Sequence, residues 1–135
     1  MHPDLVAAAN PMHQKTSRLL LAVLFVTAGV LHFVFPASYI KTIPPWLPVP
    51  GALVLISGVC EIAGGLGVLW RPTRRWAGYG LIGLCLAVLP ANVQMLLDAQ
   101  ASGASVAWQT LLWIRLPLQL ALIAWIWVAT RNDPR

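Results

Sequence analysis

Five side chains are out of place in otherwise apolar runs and have the types that do chemistry: His32, Glu61, Asn92, Arg115 and Gln119. A carboxyl and an imidazole can exchange a proton near neutral pH, and a guanidinium can pair with a carboxylate. The two amides can each donate and accept hydrogen bonds. A charge at the centre of a bilayer costs about 2.5–3.5 kcal/mol on insertion scales, so such residues need partners or a wet cavity. The expected charged pair is Glu61 with Arg115. Such a pair can fix helix register and do no more, because desolvation cancels much of its attraction. It can equally line a pocket that handles a ligand or a proton. His32 reads as a hydrogen-bonded core residue or as a ligand contact, and Asn92 and Gln119 as interhelical hydrogen-bonders or substrate contacts.

These residues must be positioned by membrane helices. Of the 135 residues 59% are hydrophobic and only 10% charged, with a mean hydropathy of +0.74. A soluble domain needs about a quarter charged residues to coat its surface, so composition excludes an ordinary soluble enzyme. Crossing the hydrocarbon core takes roughly 20 apolar residues in a helix. Four stretches have that character, at about 19–35, 51–70, 76–97 and 108–129. The first follows an 18-residue polar lead and ends in His32, Phe33 and Pro36, which is no cleavage site, so it reads as a retained span. The expected fold class is all-α, an integral membrane antiparallel four-helix bundle. Residues 1–18 would form a loosely ordered cytoplasmic tail, 19–130 the membrane domain and 131–135 a second tail.

Orientation follows from charge. Lys15, Arg18, Arg71, Arg74, Arg75, Arg131 and Arg135, seven of nine basic residues, fall on one side of a four-span chain. Short loops rich in Lys and Arg stay cytoplasmic, which makes both termini cytoplasmic. The net charge of +5 is then a topology signal rather than a nucleic-acid patch. Tyr39, Trp46, Trp108 and Trp113 mark the outer interface, and Trp70, Trp76, Tyr79, Trp125 and Trp127 the inner one.

At about 1.5 Å per residue, Glu61 lies near the midplane, His32, Asn92 and Arg115 in the outer leaflet, and Gln119 a turn below Arg115. Ser57, Glu61, Gly64 and Gly65 share one helical face, and Ala28 and Gly29 lie below His32. Pro90 and Pro117 free backbone carbonyls that need protein or water partners. The result is a polar pocket open toward the outer leaflet. The Pro-rich stretch 43–50 is expected along the outer interface, anchored by Trp46, and Arg71-Pro-Thr-Arg-Arg75 as a tight turn. Cys60 and Cys85 lie apart in mid-span, with no histidine at metal-ligand spacing, so they read as small apolar fillers and no metal site is expected.

Several stretches in order resemble the DoxX-like family of small membrane proteins, grouped with DoxD and MauE. They are Ala28-Gly-Val-Leu-His-Phe33 followed by Pro36; Ile43-Pro-Pro-Trp-Leu-Pro48; Ser57-Gly-Val-Cys-Glu-Ile-Ala-Gly-Gly-Leu-Gly67; Ala87-Val-Leu-Pro-Ala-Asn-Val93; and Arg115-Leu-Pro-Leu-Gln119. The resemblance implies a multi-pass protein of the bacterial inner membrane, serving as a non-catalytic accessory or subunit of a redox or quinone-linked system. It implies a membrane or periplasmic protein partner. No haem, flavin, iron–sulfur or disulfide motif is evident, which leaves quinone as the cofactor the resemblance admits. The alternatives are a small carrier or lipophile-binding bundle built on the intramembrane Glu/Arg/His pocket, and quinone-linked catalysis by the chain itself. A homo-oligomer and a shell of lipid fit each reading, and no nucleic acid fits any.

Overall fold

The computed structural model describes residues 11–131, and every described helix is α-helical. They run α1 (Pro11–Val34), α2 (Pro36–Ile40), α3 (Pro50–Leu69), α4 (Arg71–Ala101) and α5 (Val106–Arg131). All but the short α2 are long and apolar enough to cross a membrane. Their apolar side chains point largely outward: Val23, Ile56, Val59, Leu118 and Leu120 are all more than half exposed. Such a surface suits lipid rather than water.

The helix bounds differ from expectation in four places. Residues 11–18, expected in a loose tail, are the first turns of α1, and Arg131, expected in the second tail, belongs to α5; residues 1–10 and 132–135 of those tails lie outside the described residues. The basic stretch 71–75, expected as a turn, opens α4, and Trp70 alone joins α3 to α4 in an extended conformation. Pro72 suits a first turn, where its missing N–H has no helical partner to lose. Finally, α2 forms between α1 and the Pro-rich stretch 43–50, where no helix was expected. Beyond it Pro44 is buried, Trp46 is exposed, and Val49 takes a left-handed conformation at φ 47° as the N-cap of α3.

Buried arginines close the basic end. Arg74 Nε donates to the Val68 carbonyl at 2.8 Å and Arg18 Nε to the Ala129 carbonyl at 2.9 Å. The Val68 carbonyl lies in the last turn of α3, where Pro72 has no N–H to offer it, and a cation there also complements the helix dipole. Trp125 Nε1 donates to Ser17 Oγ at 2.6 Å, tying α5 to α1. Arg131 stacks over the Trp127 ring at 3.6 Å and bonds the Tyr79 hydroxyl. Just inside this end, Leu21, Phe25, Val68, Leu81, Cys85, Ile126 and Ala129 from all four long helices make one core.

Toward the other end the packing divides. Leu96, Ala99 and Leu112 form a cluster from α4 and α5 alone. The helices α1 and α3 meet there through glycine. A Cβ on Gly29 would lie 2.7 Å from the Gly58 carbonyl oxygen, and one on Gly58 would lie 2.9 Å from His32 Cβ. Small residues allow this backbone-to-backbone approach.

The two kinds of glycine should separate on substitution. Gly58→Ala is expected to destabilise by about 1–3 kcal/mol, since backbone must move to admit the methyl group. Gly80→Ala, with nothing within 4 Å of its Cβ position, should match or exceed wild type by up to about 1 kcal/mol. Thermal unfolding in neutral detergent, followed by circular dichroism, compares the two.

Candidate functional site

The glycine crossing puts His32 and Glu61 together. Gly29 and His32 lie one turn apart on α1, as do Gly58 and Glu61 on α3, so a close backbone approach carries the two functional side chains into contact. His32 Nε2 lies 3.3 Å from Glu61 Oε2, and the imidazole is buried. On its other edge, His32 Nδ1 is 3.1 Å from the Val54 carbonyl oxygen.

That second contact fixes the proton inventory. A carbonyl only accepts, so Nδ1 must carry a hydrogen. One further proton can then sit on Nε2 or on Glu61. With that proton the pair is imidazolium–carboxylate or imidazole–carboxylic acid, and each has zero net charge. A neutral pair is the form that burial penalises least. The fit is incomplete, however. Glu61 Oε2 is buried and lies off the hydrogen-bond line of the imidazole, with no hydrogen-bond partner.

Tyr39 on α2 covers the pair from outside, its ring centroid 4.1 Å from that of His32. Burial pushes the Tyr39 phenol above its ordinary pKa; the charge of Glu61 adds to the rise and Arg115 opposes it. The phenol therefore stays neutral, and its ring lies over the imidazole.

Beside Glu61 is a cavity of about 230 Å³ between the helices. Phe25 and Glu61 form one wall, and Leu84, Asn92, Arg115 and Gln119 lie opposite. Four of the residues singled out in the sequence thus share one cavity, with His32 behind Glu61.

The amides hold the α4–α5 wall. Asn92 Nδ2 donates to Gln119 Oε1 at 2.6 Å, and Gln119 Nε2 donates to the Cys85 carbonyl. Pro90 removes the helical donor for the Leu86 carbonyl, so the ladder is already interrupted beside the acceptor that Gln119 uses. Both amides are buried and engaged with each other.

Arg115 does not pair with Glu61. Its guanidinium is directed to Met95 Sδ at 3.8 Å, a weak neutral acceptor, and the residue is exposed. The basic neighbour of Glu61 is instead His32, because the α1–α3 crossing is tighter than any approach of α5 to α3. Depth counting places Glu61 and Arg115 at overlapping levels but cannot tell which helices touch. Tyr39 and Gly58 are the residues that sequence reasoning passes over. Tyr39 reads as an interface aromatic. Gly58 has a signal that could have found it: it stands seven residues before Gly65, as Ala22 stands seven before Gly29, and the two pairs face each other.

Among the described residues no cluster of three or more His, Cys, Asp or Glu could hold a metal ion. Cys60 is exposed and Cys85 buried, and both are free thiols.

A family model described as a domain of unknown function, DUF8561, matches residues 21–130. The chain belongs to this family. No curated protein and no solved structure matches it. The matched DUF8561 region covers nearly all of the four long-helix apolar segments and every residue of the cavity, from Phe25 to Leu122.

The corrected pairing has a measurable consequence. Arg115→Leu is expected to cost less than about 1 kcal/mol, as for an exposed charge without an acidic partner. Gln119→Leu should cost about 1–3 kcal/mol, because it strands the Asn92 amide and the Cys85 carbonyl in the protein interior. Parallel unfolding of the two variants in detergent measures the difference.

Proposed function

We propose that the chain is a multi-pass protein of the bacterial inner membrane that holds the head group of a small lipophilic molecule between its helices. The observation that carries this reading is the cavity between the helices, lined by Glu61, Asn92, Arg115 and Gln119. Polar side chains converging on one cavity in an otherwise apolar membrane bundle mark a binding site. The cavity, at about 230 Å³, is smaller than the roughly 300–1,000 Å³ typical of sites that enclose a whole ligand. It suits a polar head whose apolar tail lies in the lipid.

In this reading the bundle is antiparallel, with both termini cytoplasmic and the cavity toward the outer leaflet. The seven basic residues on one side support that orientation. The DoxX-like resemblance supports a non-catalytic accessory role, the bundle presenting its lipophile to a membrane or periplasmic partner. A quinone is one head group of suitable size. The residues supply proton exchange and hydrogen bonding, and a redox step would need a partner to carry electrons.

Two measurements test these claims. Alkaline phosphatase fused after residue 103 should be active, and fused after residue 131 inactive; the reverse pattern overturns the orientation. Native mass spectrometry of the protein released from its own membrane should show a bound lipophile of fixed mass. Glu61→Leu should remove that mass while leaving the helical spectrum intact. A wild-type chain free of any adduct defeats the ligand-binding reading.

A further inference from the structure

The charge inventory of the cavity is lopsided. Its titratable lining residues are Glu61, Cys85 and Arg115. When the His32–Glu61 pair holds one shared proton, the two are neutral together. The Cys85 thiol is neutral. Tyr39, above the pair, is held in its neutral phenol form. Arg115 is always charged and has no carboxylate partner among the described residues; its guanidinium contacts the neutral Met95 sulfur. In that state the site carries one uncompensated positive charge, on Arg115, and the Glu61 carboxyl lines the same cavity.

Continuing the reading above, we propose that the ligand's head group is a singly charged oxyanion, bound by Arg115 at one side and by the Glu61 carboxyl at the other. The shared proton of the His32–Glu61 pair then sits on Glu61, which donates it in a hydrogen bond to the anion. His32 remains a neutral imidazole with Nδ1–H on the Val54 carbonyl. Arg115 gains its counter-charge and the net charge of the assembly is zero. A low-dielectric site favours that state over either a lone cation or a doubly charged ligand. A neutral head group would satisfy Glu61 and leave the guanidinium uncompensated. A long-chain carboxylate and a lipid phosphodiester share the required chemistry.

The test uses the full chain in phosphatidylcholine nanodiscs, with radiolabelled dodecanoate or dodecanol and empty discs as the blank. Dodecanoate should bind saturably and about tenfold or more tighter than dodecanol, the scale of one charge-assisted contact. Arg115→Gln should abolish that preference, and Arg115→Lys should retain most of it, both with wild-type helical spectra. Equal binding of acid and alcohol, or a preference that survives Arg115→Gln, overturns the oxyanion while leaving the ligand-binding reading in place. No saturable binding of either probe overturns both. Phosphatidylglycerol added to the discs identifies the source: displacement of dodecanoate assigns the site to a lipid phosphate, and undisturbed binding assigns it to a free carboxylate.

Discussion

Everything at the candidate site depends on how closely α1 approaches α3. Two membrane helices gain little from burying apolar surface against each other, because lipid tails are as apolar as their side chains. What holds them is close contact, and that requires the absence of side chains along one line. Gly29 against Gly58 provides it, and Gly65 against the Ala22 carbonyl provides it again two turns away. The same contact leaves His32 and Glu61 in reach of each other. Helix association and site assembly are thus one event.

The bundle is closed at its basic end and divided at the other. Near the arginines, four long helices share one apolar core. Further along, α1–α3 and α4–α5 pack as separate pairs, one through glycine and one through Leu96, Ala99 and Leu112. Polar side chains occupy the space between the pairs. Where a continuous apolar core would exclude any ligand, this arrangement leaves a cavity whose walls belong to different pairs. Phe25 and Glu61 stand on one side, and Asn92, Arg115 and Gln119 on the other.

The membrane helices were legible because the signals that define them are local. Apolar run length, basic flanks and interfacial aromatics can be read along the chain without knowing its neighbours. The five polar residues were legible for the same reason, as exceptions inside those runs. Partner choice was not, since it depends on interhelical distance. Arg115 looked like the natural partner for Glu61 by charge and depth, yet the glycine crossing gives Glu61 to His32. The role of Arg18 and Arg74 was hidden in a different way. Their position on the basic side announces topology, while their burial against helix-end carbonyls is a packing fact. Tyr39 was counted as an interfacial anchor, and only the short α2, which no periodicity announces, brings it over His32.

The latch at the basic end also bears on biosynthesis. Arg18 and its acceptor Ala129 are separated by 111 positions, and Ser17 and Trp125 by 108. A ribosome delivers α1 to the membrane long before α5 exists, so these two bonds can form only after α5 has been made. Until then the first helix has its glycine contact with α3 to hold it and no fastening to the last. The closed ring of helices therefore records that synthesis has passed α5, and a nascent chain halted earlier would show a membrane quality-control system an open seam beside α1.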